Sequence, residues 1–255
     1  MTEFLLFTVY APLASWGEIA VGEQRVSWDR PSRSAVLGLL GAALGILRED
    51  QEAQDALGHG YGVAVRLDVM GAPLSDYQTA QTVGMSSARR AKVRTRAQLL
   101  NAGHRETVLS RRAYRQDALA TVAVWARSGA RWGLTALADA LQRPAFVLYA
   151  GRKANALGAP LGPQIASAAT LAAALNLRPS GIRGIDHRRI RGAAPWGREV
   201  SHDAIGPDDG FTTGLEPLRR EVRRDVPLHR HRWQFAERVV DVGLLPAASA
   251  AIVEA

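Results

Sequence analysis

Between Gln81 and Gln116 nine basic residues (Arg89, Arg90, Lys92, Arg94, Arg96, Arg105, Arg111, Arg112 and Arg115) face one acidic residue, Glu106. Their excess equals the net charge of the whole chain, +8 over 255 residues. A charge run is commonly a solvated, flexible insertion. Concentration of the entire net charge in one stretch favours a polyanionic partner instead, and nucleic acid is the usual one. Tyr77 precedes the run and Tyr114 lies within it. Arg152 and Lys153 add two cations after Gly151, where the absence of a side chain permits close backbone approach. Ser32-Arg33-Ser34 opens an apolar stretch, where the N–H groups of a helix's first turn offer an anion site. Core packing and phosphate binding are equally good readings of that turn. Trp16, beside Gly17, is read as either a lid on the core or a stacking platform.

Catalytic and metal chemistry find less support. The six histidines have no zinc-like spacing and no helical pairing with a carboxylate, and the chain has no cysteine. No metal site and no cofactor is expected. There is no phosphate-binding glycine loop, nucleophile elbow or dinucleotide fingerprint. Metal-independent cleavage of RNA needs only a general base, a general acid and a cation near the scissile phosphate. His104, Tyr77, Tyr114 and the arginines supply those types, as any RNA-binding surface does.

Composition narrows the class. A hydrophobic content of 47% is ample for a core, and a pI near 10.6 again favours polyanions. No apolar run approaches the roughly 20 residues that span a bilayer, so no membrane partner is expected. The start, Met1-Thr2-Glu3-Phe4, does not read as a signal peptide. The lack of cysteine fits a reducing cytoplasm.

These residues need elements to hold them. Phe4 to Tyr10 reads as a buried strand, and Pro31 to Ile46 as a helix apolar all round, hence packed on most sides. Tyr61 to Asp68 alternates like a strand with one wet face. Ser75 to Arg112 is a long polar segment with little apolar periodicity, functional or disordered when inside a compact domain. Ala118 to Trp125 is a strand, Trp132 to Gln142 an amphipathic helix and Ala145 to Ala150 a further strand. That order is the split βαβ pattern of a ferredoxin-like α+β domain. Gln164 to Asn176 is helix-prone, and residues 158–255 read as a smaller β-containing module with a second basic tract at Arg219 to Arg232.

Several blocks carry a resemblance. Ala11-Pro12-Leu13-Ala14-Ser15-Trp16-Gly17 and Arg30-Pro31-Ser32-Arg33-Ser34-Ala35-Val36-Leu37-Gly38-Leu39-Leu40-Gly41 resemble the opening of the CasD family, subunits of the type I-E CRISPR Cascade complex. Asp76-Tyr77-Gln78-Thr79, Arg112-Ala113-Tyr114-Arg115-Gln116-Asp117-Ala118 and Leu148-Tyr149-Ala150-Gly151-Arg152-Lys153 follow in the same order. Beyond residue 158 the likeness is looser. The resemblance implies an RRM/RAMP-type ferredoxin-like domain at 1–157, a basic thumb insertion at about 75–113, and a smaller C-terminal module. It implies a cytoplasmic subunit for antiviral defence that grips the crRNA 5′ handle and caps the CasC filament. Such a subunit also abuts CasA and meets target DNA through the complex. Precursor cleavage in that arrangement belongs to CasE, so the chain is expected to bind rather than cut. The alternative is a metal-independent endoribonuclease processing repeat RNA, with His104 as acid or base. Under the binding reading Ser32, Arg33 and Ser34 take phosphate. Arg89, Arg90, Lys92, Arg94 and Arg96 line the thumb, while Tyr77, Arg111, Arg112 and Tyr114 line its base. Arg152 and Lys153 close the groove, with Trp16 available for stacking.

Overall fold

Every residue from Phe4 to Ala11 is buried, which a strand achieves only when both of its faces are covered. In the computed structural model, which describes residues 1–17, 20, 22–90, 93–101, 105–180, 182, 199–229, 232 and 234–246, this run belongs to β1 (Thr2–Ala14). Its side chains alternate between two cores, as the period of two requires. Leu5, Phe7, Val9 and Ala11 enter one cluster, while Phe4 and Leu6 enter another on the opposite face.

The first cluster is built by α1 (Arg33–Leu44) and α5 (Leu134–Gln142), through Val36, Leu37, Leu40, Leu137 and Leu141. Burying each such side chain contributes about 1.5–3 kcal/mol. Ser32 caps α1, its Oγ accepting from the N–H of Ala35 at 3.2 Å. Gly45 ends it in the left-handed conformation, φ 77°, with its N–H bonded to Ala42 O. Gly41 lets α2 (Gln51–Gly60) approach, since a Cβ there would lie 3.2 Å from Leu57 Cδ1.

Two short ladders add to this frame. β2 (Trp16–Gly17) pairs with β4 (Ser27–Trp28), and β3 (Gln24–Arg25) runs parallel to part of β7 (Arg105–Ala126). β5 (Tyr61–Val69) flanks β7, and β8 (Gln164–Ala168) flanks β1. The order β8-β1-β7-β5 is antiparallel throughout. The sheet continues through β9 (Glu199–His202), β11 (Gln234–Leu244) and β10 (Glu216–His229). The protein is thus a mixed α/β fold on one large antiparallel sheet. Strands on both sides of residue 158 belong to that sheet, and β8 pairs directly with the first strand.

Four local expectations change. Ala145 to Ala150 forms no strand; Ala145 and Phe146 donate to Ala43 O and Ala42 O, closing the end of α1. The strand after α5 is β8, in a stretch whose alanines read as helix, and α6 covers only Leu171–Asn176. Alternating burial against β1 overrides helix propensity there. β5 has no wet face: Arg66 and Asp68 form a buried ion pair at 2.6 Å, and both bond Thr121 Oγ1. The polar segment after residue 75 is no loop. It holds both arms of a long hairpin.

Candidate nucleic-acid interface

β6 (Ala72–Val83) pairs with the first half of β7 from Ala72–Gln116 to Val83–Arg105. Away from its base this ribbon buries only Val83, at its far end, among the described residues. It therefore lacks apolar alternation, and that hid it in the sequence. At its end stand α3 (Met85–Arg90) and α4 (Arg96–Asn101). Thr95 and Gln98 start α4 with reciprocal bonds, Gln98 N to Thr95 Oγ1 and Thr95 N to Gln98 Oε1, each 3.2 Å. Arg89 on α3, Arg96 on α4 and Arg94 just before it are exposed, and Arg90 ends α3. Lys92 and His104 lie outside the described residues.

The hairpin base separates four residues expected together. Tyr77 stands opposite Arg111, whose guanidinium lies 5.5 Å from the ring centroid. Arg112 and Tyr114 alternate with Arg111, so they occupy the other face. There Arg152 stacks over Tyr114 at 4.4 Å and donates to Arg25 O at 3.2 Å. Arg25 stands beside Arg112 in the parallel ladder. One face thus offers an exposed Tyr–Arg pair, with Tyr77 55% accessible. The other gathers Arg25, Arg112 and Arg152 around a half-buried tyrosine, with Lys153 exposed nearby in sequence. Arg25 is new to the site, and a lone arginine in a loop carries no sequence signal. Arg89, Arg94, Arg96, Arg111 and Arg112 form no ion pair among the described residues. Unpaired guanidiniums beside aromatic faces are suited to phosphates and stacked bases.

The remaining candidates face inward. Trp16 is 2% exposed and packs in the core, so it cannot meet a ligand. The first turn of α1 does bind an anion, but the anion is internal: the N–H of Arg33 donates to Asp225 Oδ2 at 2.8 Å. Arg33 itself is 7% exposed, bonded through Nε to Asp203 Oδ2 at 2.9 Å and through Nη2 to Gly58 O and Tyr61 O. Ser32 is buried and caps the helix, and its Oγ lies 3.0 Å from Ser34 Oγ. The phosphate site expected at these three residues is therefore closed at Ser32 and Arg33, while Ser34 is half-buried.

Much of the second basic tract is paired internally as well, although the exposed Arg224 donates to a backbone carbonyl, Phe235 O, instead of a carboxylate. Arg238 bridges Asp203 and Asp225, each at 2.7 Å. Arg219 bonds Glu199 and Glu221, Arg223 bonds Glu221, and Arg30 holds Asp29 and Glu199. Burial pushes the Glu199 carboxyl up, but the hydrogen bond from Arg219 and the charge of Arg30 outweigh it and hold it below the usual range. Glu221 is also held low, burial being outweighed by bonds from Arg223 and Arg219. Arg223 further stacks on Trp28, 3.9 Å from the ring centroid.

Among the described residues no group of three or more His, Asp or Glu side chains is placed to hold a metal. No described helix is long and apolar enough to cross a membrane. His59 Nδ1 lies 2.9 Å from Asp55 O and His202 Nδ1 lies 2.8 Å from Asp203 O, so each meets a backbone carbonyl rather than a carboxylate.

The chain matches a CRISPR-associated class of protein. The CRISPR-associated protein (Cas_Cas5) family matches residues 4–241, and the chain belongs to that family. The CRISPR system Cascade subunit CasD of Escherichia coli (strain K12) is 30% identical over 161 residues, 63% of this chain and 70% of that protein. A chain of a CRISPR RNA-guided surveillance complex superposes with a TM-score of 0.61 at 24% identity, covering 95% of this chain and 90% of that one. A solved Cas protein superposes with a TM-score of 0.54 at 22% identity, covering 95% of both chains. These two structures share the mixed α/β fold.

Proposed function

We propose that this chain is a non-catalytic subunit of a type I-E CRISPR Cascade complex that grips the 5′ handle of the crRNA. The observation that carries this is the hairpin of β6 and β7 with the helices at its end, where five exposed or half-buried arginines have no carboxylate partner among the described residues and two tyrosines stand at the base. Single-stranded RNA with splayed bases is held by such cationic, aromatic surfaces. The order β8-β1-β7-β5, with α1 before β5 and α5 before β8, supports a ferredoxin-like reading of the domain. On that reading the ribbon is the thumb, and β9 to β11 are the smaller C-terminal module. The kinship to CasD supports the remaining assignments: a cap on the CasC filament, contact with CasA, target DNA met through the complex, and a cytoplasmic role in antiviral defence.

The test uses the purified full chain and labelled repeat RNA. Expected are binding that prefers the 5′ handle over a scrambled strand of equal length, and RNA left intact with or without EDTA. His104→Ala should leave binding within about 1 kcal/mol, the scale of a modest hydrogen bond. Equal affinity for the scrambled strand defeats the handle assignment. Site-specific cutting that disappears in His104→Ala establishes the endoribonuclease instead.

A further inference from the structure

β7 changes partners once along its length. From Leu119 to Ala126 it lies against β5, and from Arg105 to Gln116 against β6. Both registers skip this point: Met70 and Gly71 fall between the pairs Val69–Leu119 and Ala72–Gln116, and on the other side Pro12 and Asp117 fall between Ala11–Ala118 and Leu13–Gln116. Asp117 has φ 55°, the one positive value at a non-glycine residue among those described. Aspartate is among the few side-chain-bearing residues that tolerate this region. Gly71, φ 73°, is just as constrained. A Cβ there would lie 2.4 Å from Gln116 O and 3.1 Å from Ala118 N, so the two backbones touch on either side of Asp117.

The carboxylate of Asp117 is also held. Its Oδ1 accepts a hydrogen bond from Tyr10 Oη at 3.0 Å. Tyr10 is buried with Val69 and Leu119 in a small cluster apart from the two main cores. Its carbonyl accepts from Gly158 N at 2.9 Å, and a Cβ on Gly158 would lie 2.6 Å from its ring. Burial first, then the nearby Asp117, raises the phenol's pKa, so Tyr10 remains a donor.

We infer that Asp117 is a positioning residue for the RNA grip: its left-handed backbone and its bond to Tyr10 form a rigid elbow that sets the angle at which the basic hairpin leaves the sheet. The consequence for RNA rests on the function proposed above; the elbow itself rests on geometry alone. A loosened elbow would leave only a fraction of molecules with the hairpin where RNA meets it. Apparent affinity then falls by that fraction.

The absence of cysteine makes the test direct. Spin labels at Gln81→Cys on the hairpin and Thr135→Cys on α5, both exposed, report the distance distribution across the elbow. Tyr10→Phe removes only the hydroxyl, and Asp117→Ala removes both the carboxylate and the tolerance for φ 55°. Asp117→Asn keeps an acceptor and that tolerance. Expected are a narrow distribution in the parent and in Asp117→Asn, and broadening in Tyr10→Phe and more in Asp117→Ala. Handle RNA should bind roughly tenfold more weakly to Asp117→Ala, as when one molecule in ten is competent. The Asn variant should stay within about twofold of the parent, a fraction of one hydrogen bond. Unaltered distances in both Tyr10→Phe and Asp117→Ala overturn the elbow. Broadened distances with unaltered affinity overturn the positioning role. If the parent itself shows no preference for handle RNA, the functional proposal falls, and the distances still decide the elbow.

Discussion

Two regions of this molecule are rich in arginine, and they use it in opposite ways. On the β6–β7 ribbon Arg89, Arg94, Arg96, Arg111 and Arg112 meet no described carboxylate. On the β9–β11 side Arg30, Arg33, Arg219, Arg223 and Arg238 are bound to Asp29, Glu199, Asp203, Glu221 and Asp225. The first set is available to an external anion. The second has internal anions, and its charge goes into joining the start of α1 to the last strands. What separates the two is the placement of carboxylates, since the guanidinium is the same.

The largest effect should come from breaking the internal set. Arg33→Ala takes from the buried Asp203 one of its two guanidinium partners, and removing one member of a buried pair costs about 3–5 kcal/mol. Urea unfolding should show that loss, while the protein still folded at low denaturant keeps its RNA affinity. Weakened RNA binding with stability unchanged would reverse the roles assigned to the two regions. Next comes the ribbon. Changing Arg89, Arg94, Arg96 and Arg111 together to Glu should abolish tight RNA binding. It should flatten the salt dependence by roughly 0.7 for each phosphate no longer neutralised. Stability should move by no more than about 0.5 kcal/mol for each exposed position. An unchanged salt slope would remove the ribbon from the interface.

Acid sharpens the contrast further. Glu199 and Glu221 are held below their ordinary value of 4.5 in the folded chain. A folded pKa below the unfolded one gives stability that is present above the unfolded value and lost as pH falls through the folded one. Stability should therefore hold above pH 4.5 and decline below it, and Glu199→Gln should show a shallower decline. A variant with the parent's pH profile would show that Glu199 takes no part. The smallest effect is expected at Arg220, whose side chain is 80% exposed in its pair with Asp241. Arg220→Ala should cost no more than about 1 kcal/mol in thermal unfolding. A larger drop would mean that exposed pairs here act as buried ones do.

Much of this could be read along the chain. The apolar runs of β1 and α1 and the charge excess of the ribbon are local properties, fixed by residue type and near-neighbour spacing. The helix at Leu134–Gln142 follows from periodicity in the same way. Partnership across the chain could not be read. Arg33 meets Asp203 170 positions away and Asp225 192 positions away, and no spacing rule connects them. Hence the first turn of α1, which residue types left open between core packing and an external phosphate, takes its anion from within. Trp16 shows the same limit, because a tryptophan looks alike in a core and on a binding face until the fold covers it. Tyr77 and Tyr114 lie on opposite faces of one ribbon because strand pairing sets side-chain direction, and pairing is decided only when distant segments meet. Residue types and local order came from the sequence; the tertiary fold decided which charges found each other and which stayed exposed.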